Sequence, residues 1–353
     1  MFLKKVKNLV RKKINKTNKK IAIVLGTRPE IIKCAPIARE LDCDILFTNQ
    51  HFDKNMSHNF FKDFGYYNVM INTSSSMLEF LDTHVSRYDK IIVQGDTRSA
   101  FYGAIIAKAK HKKLYHIEAG LRTHDFNSPC PEEFYRTEIS KITDIHFAPT
   151  LNNKQNLLNE DVNEKKIIVC GNPIIQAMEM YEIQEKPKIT NSILVTIHRQ
   201  ENKKYIQKIV SLIWNIARTL QNTTINIILH PNKILSTQIN NMAKLKNINL
   251  VQPVHYNEML NMINKSTCVI SDSGGVAEEC CELGTKLFIL RDTTERQEAV
   301  EIGVAELINP NTIDASSHLK IIAATNSIST PFIKDNPYFN KDCVDKIIEN
   351  ANK

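Results

Sequence analysis

Short β-branched runs alternate with longer amphipathic stretches along this chain. IAIVLG at 21–26 predicts a buried strand ending in a glycine, and a helical stretch follows from Pro29 to Leu41. The pattern repeats with strands at 44–48, 90–96, 113–120 and 142–150 and a helix over about 99–110. It begins again in the second half with strands at 192–199, 225–231, 248–254, 268–275 and 286–290 and a helix over about 203–220. Alternation of this kind calls for parallel sheets covered by helices on both faces. The polar stretch from Gln176 to Asn191, which carries EKPK, reads as a linker between two such units. The expected fold class is therefore α/β, with two doubly wound, Rossmann-like domains.

Ligands of doubly wound sheets bind beyond the carboxyl ends of the strands. Polar and glycine-containing groups recur at those ends: Gly26-Thr27-Arg28, Gly95-Asp96-Thr97, Glu118-Ala119-Gly120, Thr196-Ile197-His198-Arg199 and Ser271-Asp272-Ser273-Gly274-Gly275. A cleft between the two domains accounts for all of them at once.

Charge changes the picture less than the formal +8 implies. Nine of the positive charges and no acid lie in residues 1–20, which leaves the other 333 at −1. The body is near neutral, so a nucleic-acid partner is not expected. The basic head reads as a solvated leader, and it lacks the continuous apolar run of a secretory signal. No run of about 18 apolar residues exists, so no membrane span is expected. None of the eight cysteines forms a C-x-x-C or a zinc spacing with histidines. Reduced core thiols and a cytoplasmic setting follow, with neither metal nor cofactor called for.

The segment SDSGG at 271–275 follows an apolar run and precedes a helix start, which Ser271 or Asp272 is expected to cap. Its glycines would let backbone N–H groups approach a diphosphate, although a plain strand–turn–helix cap has the same appearance. It is neither a Walker motif nor a G-x-G-x-x-G. Arg28 ahead of Pro29, with Lys33 one turn later, places two cations at another helix start, where solvated charges are as common as a phosphate site. Asp96, Glu118, Glu132 and Glu133 are carboxylates near strand or helix ends, with Arg136 one turn after Glu132. A carboxylate in a cleft serves as a general base when burial raises its pKa. With His198 and Arg199 on the facing domain they form a set of acids, bases and cations.

These strings, taken in order, strongly resemble the non-hydrolysing UDP-N-acetylglucosamine 2-epimerases. The match covers roughly residues 20–312: GTRPEIIK at 26–33, QH at 50–51, GDT at 95–97, HIEAGLRT at 116–123, PEE with Arg136, HFAPT at 146–150, GN at 171–172, T-x-HR-x-EN at 196–202, SDSGG at 271–275 and RDTTER at 291–296. The resemblance implies a GT-B architecture with the active site in the interdomain cleft. With the basic leader set at 1–19 by its charge, it implies an N-terminal domain over 20–178, a UDP-binding domain over 179–334, and a C-terminal helix over 335–353 returning to the first domain. The implied reaction eliminates UDP across C1–C2 to a 2-acetamidoglucal, then re-adds it with the proton on the other face of C2. Asp96, Glu118 and Glu132 would supply the proton-transfer groups, and His198 would serve the leaving phosphate. Arg28, Lys33, Arg199, Ser273, Gly274, Gly275 and Arg296 would hold the nucleotide, Glu279 the ribose, and Arg136 a carboxylate or the sugar. Gln50, His51 and His230 match part of an allosteric UDP-sugar site known in bacterial members. The resemblance also implies a homodimer.

The chain departs from the family where RDTTER is followed by Gln297-Glu298, where Ala277 replaces a Gln, where Ile175-Gln176 replaces Ile-Asp, and where NPYFNK at 336–341 lacks the usual glycines. Asp53 and a short 66–80 segment leave other allosteric contacts unmatched. The changed loops leave room for a UDP-2-acetamido-2,6-dideoxy-L-hexose as substrate. A hydrolysing epimerase, a GT-B glycosyltransferase and a non-catalytic nucleotide-sugar sensor are the competing readings.

Overall fold

The computed structural model describes residues 20–50, 61, 64–66, 68–184, 191–229, 245–326 and 335–353. The first unit is a seven-stranded sheet: β1 (Ile21–Leu25), β2 (Asp44–Phe47), β3 (Val69–Ile71), β4 (Lys90–Gln94), β5 (Lys113–Ile117), β6 (Ile145–Ala148) and β7 (Ile167–Val169). Its order is β3-β2-β1-β4-β5-β6-β7, with every pairing parallel. The second is a six-stranded parallel sheet of β8 (Ser192–Thr196), β9 (Thr224–Ile228), β10 (Ile248–Val251), β11 (Cys268–Ser271), β12 (Lys286–Ile289) and β13 (Ala305–Leu307), ordered β10-β9-β8-β11-β12-β13. The order reverses between β1 and β4 in the first sheet and between β8 and β11 in the second. Gly26, Gly95, His198 and Asp272 stand just beyond those four strands, at the topological switch points.

The central strands are apolar on both faces, as buried parallel strands must be; β1 is buried at all five positions. Three short strands that the hydrophobic pattern does not announce, β3, β7 and β13, each lie at a sheet edge, where three residues carry too little periodicity to read.

Helices α1 (Arg28–Glu40), α2 (Met77–Val85), α3 (Arg98–Ala109), α4 (Glu132–Ile142), α5 (Leu151–Asn159) and α6 (Ile174–Met178) belong to the first half. Helices α7 (Ile206–Thr219), α8 (Tyr256–Lys265), α9 (Gly275–Leu283), α10 (Gln297–Glu301) and α11 (Ala315–Asn326) belong to the second. The largest apolar cluster is continuous between the halves: Ile174, Ile175 and Met178 of α6 join Val276, Ala277 and Cys280 of α9. Ala277 is fully buried there, so the small residue serves packing.

The last helix, α12 (Cys343–Asn352), packs on α1, and Lys90 Nζ donates to the Ala351 carbonyl at 2.7 Å. The helix is shorter than the sequence reading of 335–353. Asn336 instead closes a turn, its side chain accepting from Tyr338 N at 3.0 Å, and Asn340 accepts from Asp342 N at 3.0 Å just before the helix starts. The expected linker between Gln176 and Asn191 begins after α6, and residues 185–190 of it lie outside the described residues. Among the described residues no helix is long and apolar enough to cross a membrane.

Candidate active site

The first helix start is satisfied by its own protein. Pro29 fits the opening turn of α1, and the Glu30 side chain reaches back to accept from Gly26 N (2.9 Å), Thr27 N (2.6 Å), Thr27 Oγ1 (2.7 Å) and, across the switch point, Thr97 Oγ1 (2.7 Å). Burial pushes the Glu30 carboxyl up to about 7 against those donors. A side chain at Gly26 would collide with Ser99, its Cβ lying 1.8 Å from Ser99 Oγ, so glycine is required by the close approach of α3. One turn on, Lys33 is buried and directed away from solvent.

Lys33 Nζ lies 2.5 Å from Glu118 Oε1 and 3.2 Å from Glu278 Oε2. Glu118 follows β5 in the left-handed region at φ +66°, a conformation that costs a non-glycine residue about 1–3 kcal/mol and marks functional positions. Its carboxylate accepts from Lys33, from Gln94 Nε2, from Asn172 Nδ2 at 3.2 Å and from Arg296 Nη2 at 3.0 Å. Arg296 comes from the second half, so the two halves meet here. Burial alone would raise Glu118; Lys33 and Arg296 outweigh it and hold the carboxyl well below its ordinary range.

A second ionic group lies beside the first. Arg136 on α4 is buried and pairs with Asp96, with Glu133 at 2.8 Å and with Glu295 at 3.3 Å. Glu295 in turn is held by Arg291 at 2.9 Å and Arg296 at 2.5 Å, and these cations keep it well below the carboxylate range despite burial. Glu132 opens α4. Burial and the neighbouring Asp96 raise its carboxyl, and its buried Oε2 has no hydrogen-bond partner among the described residues. Arg199 belongs to the same electrostatic neighbourhood, with Glu295 and Glu132 both raising its pKa against burial.

The start of α9 is built differently. Neither Ser271 nor Asp272 caps it, which corrects the capping expectation: Gly274 is its N-cap, and among the described residues no side chain bonds there. Asp272 is fully buried and turned to the β8 end instead, accepting from His198 N (3.0 Å), Arg199 N (2.9 Å) and Asn202 Nδ2 (3.1 Å). Ser271 Oγ accepts from Ser273 N at 3.0 Å. The carboxylate so fixes the His198–Arg199 turn, with His198 Nδ1 3.3 Å from Asp272 Oδ1 and the imidazole partly open to solvent. A Cβ on Gly275 would meet nothing within 4 Å among the described residues, so the helix start is open towards them.

The other sequence-predicted residues fall as follows. Arg28 Nη2 donates to the Val254 carbonyl at 3.2 Å, and burial lowers its pKa although Tyr181, Glu279 and Tyr256 nearby oppose the shift. Glu279 accepts from Tyr256 Oη at 2.8 Å, and burial pushes its carboxyl up to about 7. Gln50 holds the first turn of α3, its Oε1 accepting from Ser99 N and Ser99 Oγ. His51 and His230 lie outside the described residues.

Sequence reasoning missed Glu278, Glu295, Asn172 and Gln94, and it left Glu133 without a role. Glu278 and Glu295 sit next to residues it did pick, Glu279 and Arg296. Glu278 and Glu279 are consecutive on α9, where positions point about 100° apart, so nothing local says that both face inward; Glu295 lies in the loop ahead of α10, where no periodicity marks it.

Two doubly wound parallel sheets joined by a buried cluster of ion pairs from both halves define an α/β enzyme of GT-B architecture. The family model for UDP-N-acetylglucosamine 2-epimerase matches residues 36–351. A UDP-N-acetylglucosamine 2-epimerase of Methanocaldococcus jannaschii is 37% identical over 328 residues, covering 83% of this chain and 89% of its own. The same-named protein of Neisseria meningitidis serogroup A is 34% identical over 331 residues, with 83% and 88% covered. The chain belongs to the UDP-N-acetylglucosamine 2-epimerase family. A crystal structure of the Neisseria meningitidis enzyme bound to UDP-GlcNAc aligns with a TM-score of 0.84 at 30% identity, covering 94% of this chain and 98% of that one. A lipopolysaccharide outer core galactosyltransferase aligns at 0.54 with 13% identity, a likeness of fold alone.

Proposed function

We propose that this chain epimerises UDP-N-acetylglucosamine at C2 to UDP-N-acetylmannosamine without net hydrolysis. The observation that carries this reading is the meeting of Glu118 from one half with Arg296 from the other, at 3.0 Å, with Asp96 and Glu132 alongside. The C2 proton is weakly acidic, so departure of UDP must bear much of the barrier. A carboxylate takes the C2 proton, its electron pair forms C1=C2, and the C1–O bond breaks with its pair leaving on UDP. Re-addition of UDP, with a proton delivered to the opposite face of C2, completes the inversion.

Asp96, Glu118 and Glu132 are the proton-transfer groups in this reading. Glu132, raised by burial and by Asp96, suits the donor role, while the ionised Glu118 suits an acceptor. Lys33, Arg28, Arg199, Arg296 and the open start of α9 at Ser273, Gly274 and Gly275 receive the diphosphate, with His198 on the leaving phosphate and Glu279 on the ribose. Arg136 orients Asp96. Closure of the two halves excludes water while the glucal persists.

The domain division at 178 and 334 belongs to the same reading, supported by the two separate sheets and by α12 on α1. So does a homodimer. Phe134 and Ile105 are exposed on α4 and α3, and Phe101 stacks on Tyr135 at 4.6 Å, an aromatic face suited to a second copy. The cytoplasm suits eight cysteines, none of them in a disulfide.

Purified protein with UDP-N-acetylglucosamine in D2O, followed by NMR, tests the reading. A second UDP-sugar of manno configuration with deuterium at C2 is expected. Free N-acetylmannosamine plus UDP would make it a hydrolase. No change with this substrate, followed by exchange with a UDP-2-acetamido-2,6-dideoxy-L-hexose, would move the specificity to the deoxy sugar.

A further inference from the structure

Glu278 has no part in the chemistry above, yet it is buried at the point where the two halves meet, only 1% exposed. Its carboxyl shares three neighbours with that of Glu118: Lys33, Arg296 and Asn172 each reach both. Two buried carboxyl groups crowded around the same donors favour a state in which one of them holds a proton.

The neighbouring donors say which one. Lys33 Nζ and Arg296 Nη2 both bond Glu118 Oε1, at 2.5 and 3.0 Å. Towards Glu278 the same cations are near but poorly aimed. Arg296 Nε lies 3.0 Å from Oε1 and Lys33 Nζ 3.2 Å from Oε2, and neither contact has hydrogen-bond geometry. Among the described residues no donor is bonded to the buried Glu278 Oε2, which is costly for a carboxylate oxygen and natural for a hydroxyl. Asn172 Nδ2 spans the pair, 2.7 Å from Glu278 Oε1 and 3.2 Å from Glu118 Oε1.

We propose that Glu118 and Glu278 form a carboxyl dyad with a single proton, carried by Glu278 and directed at Glu118, so that Glu278 is a positioning residue that keeps Glu118 the ionised member. The inference rests on the reading of Glu118 as a proton-transfer group. The charged and titratable groups around Glu278 are Lys33 on α1, Glu118 after β5, Arg296 ahead of α10, Tyr256 on α8, Tyr338 in the returning segment and Cys281 on its own helix. Burial is the largest influence and favours the proton; Arg296 and Lys33 oppose it, and the charge on Glu118 adds to it. Because Glu118 and Glu278 come from different halves, the shared proton also ties the crevice together.

Two measurements test the dyad. Infrared difference spectra of the unliganded full chain at neutral pH should contain a protonated-carboxyl carbonyl band, one component of which disappears in Glu278→Gln. In the epimerase assay, Glu278→Gln donates an amide N–H to Glu118 and should stay within about tenfold of wild type, the scale of one altered hydrogen bond. Its alkaline limb should no longer stand where the wild type's does, since position 278 has no proton to lose and Glu132 alone remains to lose one. Glu278→Ala should lose about a hundredfold or more. An unchanged infrared band in Glu278→Gln, or a Gln variant as slow as the Ala variant with the alkaline limb still in place, would overturn the dyad. If wild type itself fails to epimerise, the functional reading fails, and the infrared band still decides where the proton is.

Discussion

The starts of α1 and α9 are both strand–turn–helix junctions at switch points, and they are finished in opposite ways. At α1 the protein supplies its own anion: Glu30 takes the amides of Gly26 and Thr27 and the hydroxyls of Thr27 and Thr97. At α9 no side chain among the described residues bonds the helix start, because Asp272 is spent on the His198–Arg199 turn. A helix N-terminus filled by a buried carboxylate is a structural joint; one left open towards a crevice is a place for a phosphate. The first half of the molecule thereby holds its acids and hydrogen bonds in place for chemistry, while the helix start left open for the nucleotide belongs to the second half.

That division can be broken by experiment. The largest effect belongs to the acids of the first half. Asp96→Asn and Glu118→Gln should each lower kcat by about 10²- to 10⁴-fold and abolish deuterium entry at C2. UDP binding, measured by calorimetry, should change far less; an equal loss of UDP affinity would erase the distinction between the halves. Next comes Gly275→Ala, which places a methyl in the open start of α9. UDP affinity should fall about tenfold, the worth of a charge-assisted hydrogen bond, with the unfolding midpoint unchanged. Unaltered UDP affinity would remove α9 from the phosphate site.

A third effect reports on the buried polar packing behind Gly95. His116 Nε2 is 2.8 Å from the Gly95 carbonyl oxygen, and His146 pairs with His116 across β5 and β6. Burial lowers the two imidazoles to about 4 and about 3, so both are neutral in the folded protein, whereas the unfolded chain takes up protons below 6.5. Acidification from 6.5 towards 4 therefore favours unfolding by about 1.4 kcal/mol per pH unit for each ring. Glu30 and Glu279, pushed up to about 7, act with the opposite sign over much of that range. The difference between wild type and His146→Leu isolates one ring: the variant should lose stability more slowly on acidification, and parallel curves would show that His146 is protonated when folded. The smallest effect is Thr27→Ala at the closed junction, which should cost about 1 kcal/mol in urea unfolding and leave UDP affinity alone.

Much of the architecture was legible before any coordinates. The central strands are continuous apolar runs because both of their faces are covered, and a run such as IAIVL has one sensible placement. The short edge strands were not legible, nor was the turn at Asn336 that delays the last helix to Cys343. The candidate site residues that the sequence offers are those carried by local strings: Arg28, Lys33, Asp96, Glu118, Glu132, Arg136, His198 and Arg296. Their partners are not carried so. Asn172 meets Glu118 from 54 positions away, and Glu295 meets Arg136 from 159 positions away.

The chain's own order of residues determined which segments become strands, where glycine and proline turn the backbone, and which polar groups stand at strand ends, because backbone sterics and hydrophobic periodicity act over a few neighbouring positions. Only the tertiary structure decided which carboxylate is paired, which is left without a donor and which helix start stays open. Those outcomes depend on burial and on distances between groups remote in sequence, and a charge has no fixed meaning until its surroundings are in place.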